Sequence, residues 1–235
     1  MPWSPSHHYV HVAIPKTGTT SLVRALHTLH EREGGSVELI NDQITPEYRR
    51  EHGLDALGDP QPGRAKHLSA LQLRTILGDE EFDRCYRFTV VRNPWERMVS
   101  RYNFTHVRNE PSPAEKLARG TTRSFHDLEF DQWLDQVAQR SLRGKGPRSQ
   151  LSKLIDDHGH LLVDHVGRLT DLQATVDGLC EHLAVPPVSV LQVNPSPRSK
   201  PYADYYDERT RQIVAEIHRV DIEHFGFTFD ELVAT

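Results

Sequence analysis

The sequence predicts an α/β fold with a central, mainly parallel sheet flanked by helices, and three observations carry that expectation. Short apolar runs alternate with segments of helical periodicity along most of the 235 residues, the pattern of strands joined by crossover helices. Two of the runs end in polar turns that open onto a helix, the place where open parallel sheets bind ligands. Length and composition, 37% hydrophobic and 26% charged without repeats or low-complexity tracts, suit one domain, taken as residues 1–235.

The elements follow in order. Residues 8–14, HYVHVAI, read as a first buried strand, and a helix starts at Thr19 or Thr20 with Leu22, Val23, Leu26 and Leu29 on one face. Thr19 is its expected N-cap. Residues 34–63, rich in Gly, Pro, Asp and Asn, read as an irregular excursion with short helical pieces. RAKHLSA then precedes a helix over 70–77, with Gly78 placed to end it. YRFTVV, 86–91, is the second core strand, and Asn93-Pro94 breaks it, Pro94 sitting in the first turn of a helix to about 107. A polar connection over 108–125 leads to a helix through Phe130, Leu134 and Val137. LLVDHV, 161–166, reads as a further strand, and Leu172, Val176, Leu179, Cys180 and Leu183 mark a helix. After a loop at 194–202, a last helix carries Ile213, Ile217 and Val220.

The bulk numbers exclude several classes. A net charge of −5 opposes nucleic acid as a partner, because that affinity rests on neutralising many phosphates. Cys85 and Cys180, the two cysteines, sit in apolar patterns and read as buried thiols rather than a disulfide or zinc site. Among the 15 histidines, His7, His8, His11, His158 and His160 lack partners at metal-ligand spacing. The N-terminal MPWSPSHHYV has no apolar core behind a basic segment. No run approaches the roughly 18 apolar residues of a membrane span, so the cytoplasm is expected.

Two turns carry the chemistry. In PKTGTTSL, residues 15–22, Lys16 precedes the one glycine, Gly18, whereas the usual nucleotide loop places lysine behind its last glycine. Backbone N–H groups, hydroxyls and a cation at a helix N-terminus form an anion cradle, here from Pro15, Lys16, Thr17, Gly18, Thr19, Thr20 and Ser21. The plainer reading is a tight strand-to-helix turn with threonine as its cap. In VVRNPWERMVSRY, Arg92 ends the strand and Ser100 follows eight residues later, about two helical turns on. An arginine there grips a phosphate through two charge-assisted bonds, unless it pairs with an acid while Ser100 faces water. Arg97 and Arg101 read as a solvated or salt-bridged face.

Together the turns resemble the superfamily of sulfotransferases that use 3′-phosphoadenosine 5′-phosphosulfate (PAPS). PKTGTTSL is similar to the 5′-phosphosulfate loop and FTVVRNPWERMVSRY to the 3′-phosphate motif. HLSALQLRTILG, LLVDHVGRLTDL and NPSPRSKPYADYYDERTRQIVAEIHRVDIEHFGFTF resemble the carbohydrate-type, family 2 branch. The likeness spans nearly the whole chain and is weakest at 30–63 and 105–148. It implies a three-layer fold like that of the P-loop NTPases. Lys16 would contact the bridging oxygen of the phosphosulfate while Thr17, Gly18, Thr19, Thr20 and Ser21 cradle the 5′-phosphate. Arg92 and Ser100 would hold the 3′-phosphate, and Arg198 or Lys200 would add charge. PAPS is then the co-substrate, PAP (3′,5′-ADP) the product, and no metal is needed.

The catalytic base is assigned to His67 in AKHLSA, because this branch places a histidine upstream of the arginine-bearing strand. Asp42 or Glu47 is the alternative. Gln150 falls near a position where the family has glutamine, with no role assigned. Between Asp135 and Asp156 there is no acid, yet Arg140, Arg143, Lys145, Arg148 and Lys153 all occur. That stretch reads as a solvated loop, or as a lip attracting an anionic acceptor. Residues 41–63 are the other candidate for shaping the acceptor pocket. Tyr202, Tyr205 and Tyr206 read as packing residues, with stacking on a sugar or adenine second. The expected acceptor is a hydroxyl on a glycan, glycolipid or small alcohol, and the reading leaves room for a homodimer. A divergent nucleoside or sugar kinase and a non-catalytic nucleotide-binding relative stay open as alternatives. The kinase lacks G-K-[ST] and a strand-end aspartate for magnesium.

Overall fold

The computed structural model describes residues 2–35, 38–39, 67–108, 128–191 and 200–232. Strands run at Pro2–Ser4 (β1), Tyr9–Val12 (β2), Glu38–Leu39 (β3), Tyr86–Val91 (β4) and His165–Arg168 (β5). Helices among the described residues are Thr19–Glu33 (α1), Ala70–Leu77 (α2), Asp79–Arg84 (α3), Pro94–Asn103 (α4), Phe130–Leu142 (α5), Leu172–His182 (α6), Glu208–Ile217 (α7) and Arg219–Phe225 (α8). Contacts group Met1–Arg92 with Gln150–Val193 as one unit, and Asn93–Ser149 with Asn194–Thr235 as another.

The first unit is the α/β body. Its sheet has the order β3-β1-β2-β4-β5. β4 lies parallel to β2 and to β5, while β1 pairs antiparallel with β2 and β3. All four residues of β2 and the last four of β4 are buried, which is why both read as continuous apolar runs rather than alternating ones. Tyr9, Phe88 and Val90 pack with Leu22, Ala25, Leu26 and Leu29 of α1 and Val176, Leu179 and Cys180 of α6. Each fully buried leucine contributes about 1.5–3 kcal/mol, so the helical stripe seen in the sequence is the glue of this unit. Gly167 permits the approach of α6, since a Cβ there would stand 1.9 Å from Thr175 Oγ1.

Where β4 begins, a bidentate pair fixes its neighbour. The Arg87 guanidinium donates to both carboxylate oxygens of Asp164, at 2.8 Å from Nε and 2.7 Å from Nη2, and the Arg87 N–H adds a third bond of 2.8 Å. The Asp164 N–H returns a bond to the Arg87 carbonyl at 2.7 Å. Burial pushes the Asp164 carboxyl up, but these bonds and the adjacent charge outweigh it and hold the group below its ordinary value.

The second unit is helical. Asn93 caps α4 by accepting from the Trp95 N–H at 3.1 Å, with Pro94 at the first position as the sequence suggested. Tyr102, Phe130, Trp133 and Tyr205 form an aromatic cluster of edge and stacked pairs. The Tyr206 hydroxyl donates to the Trp95 carbonyl at 2.8 Å, and the Tyr202 hydroxyl donates to the Phe229 carbonyl. Those tyrosines therefore pack, as the plainer reading held. Arg97 is 4% exposed, and burial, with Arg140 adding, lowers the Arg101 guanidinium from its ordinary value. Arg97 therefore does not face solvent, one of the two settings expected for the pair.

Other boundaries moved for local reasons. Gly18, not Thr19, is the N-cap of α1. The strand expected at 161–166 shifts to β5, because residues 155–161 close a turn of their own. Ile155 bridges Leu161 there, and the Asp156 carboxylate accepts from the N–H groups of His158 and His160. The last helix is two, α7 and α8, parted at His218, whose buried ring lies 3.4 Å from the Asp221 carboxylate. β1 and β3, with three and two residues, are too short to show a periodicity. Most of the expected excursion at 34–63 and of the connection at 108–125 lies outside the described residues.

Because the Asp164 carboxyl is held low in the fold, its stabilisation is present above the unfolded value of about 3.9 and is lost as pH falls through the folded value. Asp164→Asn is expected to lower unfolding stability at pH 7 and to flatten its decline below about pH 5. Denaturant titrations of both proteins across that range check this, and parallel pH profiles would contradict it.

Candidate active site

The site begins where β2 runs out. Ile14 is fully buried, and its carbonyl accepts from the hydroxyls of Thr17 at 2.9 Å and Thr19 at 3.4 Å. Those two hydroxyl protons anchor the turn to the strand end, so N–H donors for an anion come from the backbone that follows. Gly18 has φ 82° and begins α1, its carbonyl accepting from the N–H of Ser21 at 3.0 Å and of Leu22 at 3.2 Å. A Cβ on Gly18 would meet Leu169 Cδ1 at 2.5 Å, so both conformation and space demand glycine. No side chain caps α1. A 15-residue helix thus presents its positive pole at the turn, as an anion site requires.

Lys16 has φ 71°, a left-handed conformation that costs a non-glycine residue roughly 1–2 kcal/mol. Backbone strain of this kind persists where the surroundings enforce it. One enforcing contact is visible: the Lys16 carbonyl accepts from Arg92 Nη1 at 3.0 Å. The structure therefore brings together the two residues on which the sequence reading turned. Arg92, 6% exposed, lies one residue beyond β4. Its own N–H donates to Gln150 Oε1 at 2.9 Å and its carbonyl accepts from Gln150 Nε2 at 2.9 Å. Thr20 is exposed at the helix start, Ser21 is buried, and Pro15 and Thr19 are half-buried. Ser100 is buried on α4, in the second unit.

His67 stands just before α2, which opens on a capping box between Ser69 and Gln72. Its ring is half-buried, with Nδ1 3.2 Å from the Ala13 carbonyl. A carbonyl only accepts, so Nδ1 carries the proton in the neutral ring and Nε2 keeps its lone pair. The His67 carbonyl accepts from Lys153 Nζ. His11, in β2, behaves differently. It is fully buried and pushed down to about 3, by burial first, with nearby positive groups including His67 adding. It is a neutral core residue.

The other expected residues separate. Asp42, Glu47 and Arg198 lie outside the described residues. Lys200 donates to the Asp204 carbonyl at 2.6 Å and lies 4.7 Å over the Tyr205 ring, in the second unit. In the basic stretch, Arg140, Arg143, Lys145 and Arg148 are exposed, as a solvated loop would be, whereas Lys153 turns toward His67. Cys85 and Cys180 are free and buried, and burial pushes the Cys85 thiol up to about 11. Among the described residues, no group of three or more His, Cys, Asp or Glu side chains is placed to hold a metal. The contributions of Gln150, Lys153 and the Ile14 carbonyl escaped the sequence reading. Each acts through a contact with a backbone atom, which leaves no motif.

The strain at Lys16 gives a test independent of activity. Lys16→Gly and Lys16→Ala both lose the cation, but only glycine relieves the left-handed turn. Lys16→Gly is expected to unfold about 1 kcal/mol harder than Lys16→Ala, measured by denaturant titration. Equal stabilities would mean the turn is unstrained.

A model of the sulfotransferase family matches residues 3–228. No individually curated protein matches the chain. The α/β body agrees with that family's P-loop-like fold, and the glycine turn, the uncapped helix pole and the Lys16–Arg92 contact suit a phosphorylated co-substrate. With the family pattern spanning nearly the whole sequence, the chain belongs to the sulfotransferase family, enzymes that transfer a sulfuryl group from PAPS.

Proposed function

We propose that the protein sulfates a hydroxyl on a carbohydrate or glycoconjugate, by in-line displacement with His67 as base. The observation that carries this reading is the 3.0 Å bond from Arg92 to the Lys16 carbonyl. It joins the Lys16 turn to the arginine of the second motif, both in the first unit, as suits a nucleotide phosphorylated at both ends. Thr17 to Ser21 and the pole of α1 would cradle the 5′-phosphate. Arg92 and Ser100 would hold the 3′-phosphate, and Arg198 or Lys200 would add charge.

PAPS supplies the sulfuryl group. His67 Nε2 accepts the acceptor's hydroxyl proton while the new O–S bond forms and the S–O bond to the 5′-phosphate breaks, leaving PAP. A positioned base of this kind is worth about 10²–10⁴-fold. Lys16 offsets the negative charge that grows on the departing phosphate, a stabilisation exerted mostly in the transition state. This chemistry asks for no metal ion. The acceptor is a hydroxyl on a glycan, glycolipid or small alcohol. Among the described residues no helix is long and apolar enough to cross a membrane. The same reading treats residues 1–235 as one cytoplasmic sulfotransferase domain, alone or as a homodimer.

PAP without magnesium is expected to raise the melting temperature, while Mg-ATP does not. At about 100 times the dissociation constant the stabilisation is about 2.7 kcal/mol. The reverse preference would favour a kinase. His67→Ala should lower kcat about 10²–10⁴-fold and leave PAP affinity within a few-fold. Equal loss of both would make His67 structural. A wild-type protein that binds PAP yet sulfates nothing in a broad glycan and alcohol panel would be the non-catalytic relative.

A further inference from the structure

We propose that Gln150 is a positioning residue for Arg92, and that its side-chain amide aims the guanidinium at the nucleotide. The inference rests on the reading that Arg92 grips the 3′-phosphate.

The sheet's own ladder stops short of Arg92. The last parallel pair between β4 and β5 is Val91 with Arg168, and the last between β2 and β4 is Val12 with Thr89. One residue on, a carboxamide replaces the missing strand. Gln150 Oε1 takes the Arg92 N–H and Gln150 Nε2 gives to the Arg92 carbonyl, both at 2.9 Å. A carboxamide has the donor and acceptor of a peptide group, so this pair copies a strand-to-strand contact. Gln150 is 0% exposed, and an amide buried so completely is costly unless its polar atoms are matched. Here the two bonds take the N–H and the carbonyl of a single residue, one from each peptide group flanking its Cα, and so fix the backbone on both sides of Arg92. The far end of the same side chain is fixed by Nη1 on the Lys16 carbonyl. Arg92 is therefore held at backbone and guanidinium, with its reach set in between.

The segment that carries Gln150 serves a second purpose. It leads into a short turn, Leu151–Lys153, in which the Lys153 N–H donates to the Gln150 carbonyl at 3.1 Å. Lys153 Nζ then bonds the His67 carbonyl. One turn thus touches the backbone of both the anion-binding arginine and the proposed base, a link that no sequence motif announces.

The test compares PAP with adenosine 5′-phosphate, which lacks the 3′-phosphate, by titration calorimetry on the full chain. Gln150→Met keeps the volume and removes both bonds. It is expected to weaken PAP on the order of tenfold or more, to leave adenosine 5′-phosphate unchanged, and to raise the KM for PAPS more than it lowers kcat. In an Arg92→Ala background the same change should cost PAP affinity nothing further. Gln150→Glu keeps an acceptor for the Arg92 N–H but removes the donor, so it should fall between and serves if Gln150→Met does not fold. Equal weakening of both nucleotides, or the same loss with and without Arg92, would overturn the positioning role. If Arg92→Ala itself keeps the preference for PAP, the assignment of Arg92 fails instead. If Arg92→Ala abolishes the preference while both Gln150 variants retain it, only the Gln150 inference fails.

Discussion

The contact between the Arg92 guanidinium and the Lys16 carbonyl is the constraint on which the rest of the site depends. It ties the end of β4 to the turn after β2, two strands that lie side by side in the parallel core. Parallel neighbours bring their carboxyl ends to the same edge of a sheet, so the topology itself delivers both turns to one place. The hydrogen bond then converts proximity into a fixed spacing. A nucleotide carrying phosphate at both ends would be measured against that spacing.

The turn is held in its uncommon shape from several sides. Ile14 anchors Thr17 and Thr19 through its carbonyl, Leu169 leaves no room beside Gly18 for a side chain, and Arg92 holds the Lys16 peptide. In return the start of α1 is left without a side-chain cap. Serine, threonine or aspartate there would add roughly a few tenths of a kcal/mol over glycine. Gly18 forgoes that stabilisation and leaves the helix pole open to an anion. Local strain and a missing cap, both mildly unfavourable to folding, coincide at the turn proposed to hold the phosphosulfate.

Much of this was legible in the sequence, because it rests on periodicity and on residue types with singular conformational roles. The buried runs around Tyr9 and Phe88, the stripe from Leu22 to Leu29, the break at Asn93-Pro94 and the glycine turn all announce themselves locally. The α2 helix over 70–77 was placed to the residue. What escaped was non-local. Gln150 reaches back 58 residues to the Arg92 peptide, and Lys153 reaches 86 residues to His67. Within its own neighbourhood each reads as one more polar residue in a basic loop. The burial of Arg97 is equally non-local, since its four-residue spacing with Arg101 allows an exposed face and only tertiary packing turns it inward. The shift of β5 shows the converse, since an apolar run can be buried by a turn as well as by a ladder.

The most direct measurement is a crystal structure of the protein with PAP. The 5′-phosphate is expected against the backbone N–H groups that open α1, beside Lys16, and the 3′-phosphate on Arg92, while Gln150 keeps both bonds to the Arg92 backbone. A nucleotide bound the other way round, or bound with Arg92 still turned away from either phosphate, would contradict it.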